Sequence, residues 1–105
     1  MILIDTIGEP ATLELMAEEC VELAHACLKL ARFERNENPT PKTKDECIRA
    51  VTEELADVWV TMGELTQVDW WDSPMFNIQC NNKLKRMKER LKDGRNESIS
   101  DQRDH

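Results

Sequence analysis

Two acidic clusters embedded in helical apolar sequence constrain this chain more than any other feature. Glu18-Glu19-Cys20-Val21-Glu22 is the first and Glu54-Leu55-Ala56-Asp57 is the second. Residues three apart on a helix share a face, about 5–6 Å apart at Cβ. Glu19 and Glu22 therefore point one way, and so do Glu54 and Asp57. A solvated acidic face, the usual fate of helical glutamates, would carry lysines beside them. Here the neighbours are Met16, Ala17, Val21 and Leu23 around one cluster, and Leu55, Ala56, Val58 and Trp59 around the other. If the two helices pack side by side, four carboxylates converge. Crowded anions repel one another and call for cations between them. Hard oxygen ligands of this kind suit Mg²⁺, with Mn²⁺ as a substitute. The chain reads as a metal site built from two helices.

The helical reading rests on spacing. Leu13, Met16, Ala17, Cys20, Val21, Ala24, Cys27, Leu28 and Ala31 recur at i, i+3, i+4, i+7. Leu15, Leu23, Ala26 and Leu30 widen that stripe almost all round, as in a helix covered on more than one side. This helix is predicted to start near Pro10, after a short leader ending at Gly8, and to end around Arg35. Asn36 to Lys42 forms a loop by composition. Thr43-Lys44-Asp45-Glu46 is a capping box opening a second helix through Ile48, Val51, Leu55, Val58 and Met62 to about Gln67. Asp72-Ser73-Pro74 starts a third, with a core stripe of Phe76, Cys80, Leu84, Met87 and Leu91 and a stop at Gly94. The expected fold is all-α, an antiparallel helical hairpin plus a third helix. Residues 1–94 make the one domain, and residues 95–105 read as a polar, disordered tail.

A chain of 105 residues allows one domain with a thin core, and association with a second copy would remedy that. We therefore expect a homodimer or homotetramer that completes a four-helix-type bundle by oligomerisation. The net charge of −7 argues against non-specific nucleic-acid binding, which a basic field drives. No apolar run approaches the roughly 20 residues of a membrane span. The segment Met1-Ile2-Leu3-Ile4-Asp5 has no basic region of the signal-peptide kind, so a cytoplasmic protein with reduced thiols is the expectation.

The pattern Glu18-Glu19-x-x-Glu22, a helical hairpin, then Glu54-x-x-Asp57 resembles the MazG-like all-α nucleoside triphosphate pyrophosphohydrolase superfamily, over roughly residues 10–92. Either half of the motif alone is weak; both on consecutive amphipathic helices are more specific. The segment Leu23–Glu53 between them lies toward or beyond the long end of family spacing. The resemblance implies Mg²⁺-dependent hydrolysis of an NTP or dNTP to the monophosphate and pyrophosphate. It implies Glu19, Glu22, Glu54 and Asp57 as metal ligands, with Glu18 and the same two glutamates of the first helix catalytic. Family members often carry an Asn/Lys/Arg set on the following helix, which here corresponds to Asn82, Lys83 and Arg86 as phosphate-binding residues. The chemistry is physically sound: carboxylates cannot bind a triphosphate directly, whereas metal ions bridge the two and acidify water.

Other features carry two readings each. Lys83, Arg86 and Arg90 form a basic stripe that is either a solubilising face or a phosphate contact. Trp59, Trp70 and Trp71 suit core or interface packing, and Trp59 is also the best candidate to stack on a nucleobase. Glu22-x-x-His25 is half of a di-iron carboxylate motif, but no second Glu-x-x-His exists, which makes His25 a packing or supporting residue. Cys20, Cys27 and Cys80 lie on apolar stripes as small hydrophobes. The competing functions are a non-catalytic, self-associating helical module and a di-iron carboxylate protein.

Overall fold

Local chemistry sets the element boundaries. The structure, a computed structural model, describes residues 2–37 and 42–104, with side chains from 3–37 and 42–94. Among the described residues four helices follow one another: α1 (Ile2–Ile7), α2 (Glu9–Glu34), α3 (Lys44–Leu65) and α4 (Ser73–Asp104). The described residues form no strand, as expected for an all-α chain. Among the described residues, no helix is long and apolar enough to cross a membrane. Two units emerge, Met1–Trp71 and Asp72–His105.

In the first unit, the expected leader is instead a short helix. Gly8 separates α1 from α2 at φ 87°, ψ 167°, a region open to glycine almost alone. Its N–H donates to the Ile4 carbonyl at 2.9 Å, and its carbonyl accepts from the Thr12 N–H at 3.1 Å and the Thr12 hydroxyl at 2.7 Å. Thr12 is thereby fully buried without a stranded polar group. The start of α1 is held from far away in sequence: the Ile4 N–H donates to Glu64 Oε2 at 3.5 Å, with Ile4 and Glu64 both buried. An acidic side chain at a helix N-terminus meets both an unpaired N–H and the positive end of the dipole.

Helix α2 stops where Asn36 takes the left-handed conformation at φ 58°. The Glu37 N–H then reaches the Arg32 carbonyl at 2.9 Å and the Asn36 N–H reaches that of Phe33 at 3.1 Å, the paired bonds of a Schellman end. Helix α3 begins with the predicted capping box. The Glu46 N–H donates to the Thr43 hydroxyl at 3.2 Å, and the Thr43 N–H donates back to the Glu46 carboxylate at 3.3 Å.

The pairing of α2 with α3 runs antiparallel. Lys44 Nζ meets Glu34 Oε1 at 3.0 Å beside the loop, and further along Glu19 and Glu22 meet Glu54 and Asp57. The ion pair is half exposed and contributes about 0–1 kcal/mol. Among the described residues the buried apolar set is small: Ile4, Ala26, Cys47 and Leu65. Leu13, Val21, Leu28, Leu55 and Val60 are exposed, so the wide apolar circumference of α2 and α3 is covered only in part within this chain.

In the second unit, Asp72 caps α4: its carboxylate accepts the Met75 N–H and its carbonyl accepts the Phe76 N–H, both at 2.9 Å. Two expectations change here. Phe76, Leu84, Met87 and Leu91 were expected as a core stripe, yet all are exposed. An amphipathic pattern says that a face suits burial, not that its own chain covers it. The expected stop at Gly94 is also absent, since α4 continues to Asp104 and Gly94 keeps a negative φ. Glycine inside a helix costs about 1 kcal/mol against alanine, too little alone to end one. The side chains of the expected polar tail, 95–105, lie outside the described residues.

Candidate metal centre

Helix α2 offers Glu19 and Glu22 one turn apart, and α3 offers Glu54 and Asp57 in the same way. Antiparallel packing brings the two pairs together. One carboxylate oxygen from each of the four lies within 4.8 Å of the others. Glu19 and Glu54 are half-buried, while Glu22 and Asp57 are exposed. The cluster is thus a groove with a sheltered floor and an open rim.

Its electrostatics are unfavourable as they stand. Partial burial pushes the Glu19 carboxyl above its usual range, and repulsion from Asp57, then Glu22, adds to this. Partial burial also raises Glu54, with repulsion from Glu22 next and from Asp57 and Glu19 behind it. Glu19 Oε2 and Glu54 Oε2 are buried with no hydrogen-bond partner. Buried carboxylate oxygens without a donor are costly, and folded proteins rarely leave them so.

A hard divalent cation fits this donor set. Two oxygens on opposite sides of one Mg²⁺ are about 4.2 Å apart, from Mg–O distances of about 2.0–2.1 Å. The 4.8 Å spread of the four oxygens needs only a small side-chain adjustment to meet that. The stranded oxygens of Glu19 and Glu54 would then have a partner.

The remaining expected site residues fall elsewhere. Glu18 is exposed and is not one of the converging four, although its charge adds slightly to the raised Glu19 carboxyl. Trp59 follows Asp57 by two residues, about 200° around α3, and is 71% exposed on that other face. Asn82, Lys83 and Arg86 belong to the second unit, where all three are exposed along α4. Cys20, Cys27 and Cys80, expected to pack as small hydrophobes, are also exposed; Cys47 alone is buried. His25 is exposed and lines a cavity next to the cluster.

That cavity holds residues the sequence reading passed over. It measures about 240 Å³ and is lined by Glu22, His25, Ala26, Lys29, Lys42, Cys47, Ala50 and Glu54. The available signal was the spacing Glu22, Ala26, Lys29 on α2, which continues the line of the acidic cluster past its last carboxylate on that helix.

No family model matches this chain, and no curated protein and no solved structure is significantly similar to it.

Proposed function

We propose that the chain is an Mg²⁺-dependent nucleoside triphosphate pyrophosphohydrolase that cleaves an NTP or dNTP to the monophosphate and pyrophosphate. The observation that carries this reading is the convergence of Glu19, Glu22, Glu54 and Asp57 with two buried oxygens left unpartnered. The arrangement of Glu-Glu-x-x-Glu and Glu-x-x-Asp on an antiparallel hairpin supports the same reading.

Glu19, Glu22, Glu54 and Asp57 would hold the metal. Bound there, Mg²⁺ supplies charge neutralisation of phosphoryl oxygens and a lowered pKa for water. The chain's own work is positional. Glu19 and Glu54, fixed by the packing of α2 on α3, set the floor of the site, and Glu22 and Asp57 close its rim. Glu18, the first glutamate of the motif, is exposed one residue before Glu19 and is part of the proposed catalytic set. Positioning and charge stabilisation supply most of the rate in phosphoryl chemistry, so no nucleophilic side chain is required.

The oligomer belongs to this proposal. Trp59, Val60 and Leu55 expose a large apolar surface on α3, and Val21 and Leu28 do so on α2. A second copy covering these faces makes a four-helix-type bundle, with Trp59 of one chain offered to the neighbourhood of the other. Asn82, Lys83 and Arg86 on α4 are the proposed phosphate contacts.

Pyrophosphate release across common and damaged (d)NTPs, with and without Mg²⁺, tests the reading. Glu22→Gln keeps the side-chain shape and removes one charge. We expect at least a ~10²-fold loss of Mg²⁺-dependent turnover, since such charge stabilisation is usually the largest catalytic term. A chain that releases no pyrophosphate from any substrate, and whose melting temperature ignores Mg²⁺, is a non-catalytic module instead.

A further inference from the structure

The groove between α2 and α3 changes sign along its length. Its acidic end is Glu19, Glu22, Glu54 and Asp57. Seven residues beyond Glu22, about 10 Å along the helix axis, stands Lys29, and Lys42 joins it from the segment before α3 in lining the same cavity. His25 lies between the two ends on the α2 side. Ala26 and Ala50, small where the two helices face each other, leave the hollow open, and Cys47 is a buried part of its lining. Glu22 and Glu54 belong to both the cluster and the cavity, so the two are one continuous groove.

We propose that the cationic part of this cavity receives the terminal diphosphate of the substrate, with Lys29 and Lys42 as its binding residues. The assignment rests on the pyrophosphohydrolase reading and adds to it the direction in which the substrate lies. Two points favour a diphosphate over a nucleobase. Two ammonium groups gain most from the part of the ligand with the highest charge density, and a base is neutral. The cavity volume of about 240 Å³ falls below the roughly 300–1,000 Å³ of pockets that enclose whole drug-sized ligands, so it suits a diphosphate and leaves the nucleoside outside. A phosphate chain also tolerates the Glu22 and Glu54 carboxylates only when cations flank it, and this groove provides a metal site at one end and lysines at the other. The bond cleaved then lies at the acidic end, and the pyrophosphate released is the part held by Lys29 and Lys42.

The test uses inorganic pyrophosphate as the probe, titrated calorimetrically into the full chain with Mg²⁺ present. The variant is Lys29→Gln with Lys42→Gln; both side chains are exposed, and circular dichroism and melting check that the fold persists. A charge-retaining pair, Lys29→Arg with Lys42→Arg, tests rescue, and Lys85→Gln with Lys88→Gln on α4 controls for net charge. We expect at least a ~10-fold weaker pyrophosphate affinity for the glutamine pair, recovery in the arginine pair, and no such loss in the α4 control. The Mg²⁺-induced rise in melting temperature should be the same in all four proteins. Equal pyrophosphate affinity in wild type and the glutamine pair, with the Mg²⁺ response intact, overturns the subsite alone. A wild-type chain with no Mg²⁺ response overturns the metal reading, and this assignment falls with it.

Discussion

Glu19 and Asp57 face each other across the seam between α2 and α3, and after partial burial Asp57 is the largest reason the Glu19 carboxyl is raised. The relation has a consequence for pH. Glu19 and Glu54 both have folded-state values above the ordinary 4.5, so the folded chain binds more protons than the unfolded chain in that range. Stability of the metal-free protein should therefore fall as pH rises from about 4.5 through the raised values, and level off above them. Melting curves in chelator across this range check the direction. Added Mg²⁺ should restore the lost stability on the alkaline side. A metal-free melting temperature that rises over the same interval would contradict this assignment of repulsion.

Substituting Glu22→Gln separates catalysis from stability. The variant should melt at the same temperature as wild type or higher without metal, because one of four mutually repelling charges is gone. Its response to Mg²⁺ should shrink at the same time. A solvated acidic face with no metal role predicts no change in either quantity.

Gly8 is the joint between α1 and α2. A Cβ there would meet nothing nearer than Pro10 Cδ at 4.0 Å, so sterics with neighbours are not at issue. The cost of Gly8→Ala lies in the backbone conformation, φ 87° and ψ 167°. Loss of about 1–3 kcal/mol in urea unfolding is expected. A loss of only a few tenths would mean that α1 re-docks at another angle.

The exposed apolar face of α3 should hold copies together. Leu55→Glu with Trp59→Glu places charge on residues 53% and 71% exposed in the single chain, where little intramolecular packing is lost. Light scattering at tens of micromolar should give a dimer or larger even assembly for wild type and a smaller species for the variant. A wild-type monomer at that concentration would refute the proposed bundle.

What was legible in the sequence was whatever depends on neighbours in the chain. The Thr43 and Glu46 exchange spans only three residues of sequence, and the Glu19 and Glu22 pair needs only one turn. The convergence of those two with Glu54 and Asp57 followed from a single assumption, that α2 and α3 pack antiparallel. Features set by distant partners were not legible. Helix α1 is capped by Glu64, which no local pattern announces. Lys29 and Lys42 line one cavity together with Ala26 and Ala50, and the register between helices that brings them together is not written in either helix alone. The exposed stripe of α4 shows the same limit, since periodicity marks a face without naming what covers it.

The antiparallel pairing also orders events in time. Glu34 and Lys44 flank the loop, so their encounter closes the shortest stretch of chain, and the helices can zip outward from there at little entropic cost. Glu19 and Asp57 close a much longer loop, whose closure costs more entropy. On that order, relieving the repulsion with Glu19→Gln should slow metal-free unfolding and leave the refolding rate nearly unchanged, which stopped-flow measurements check.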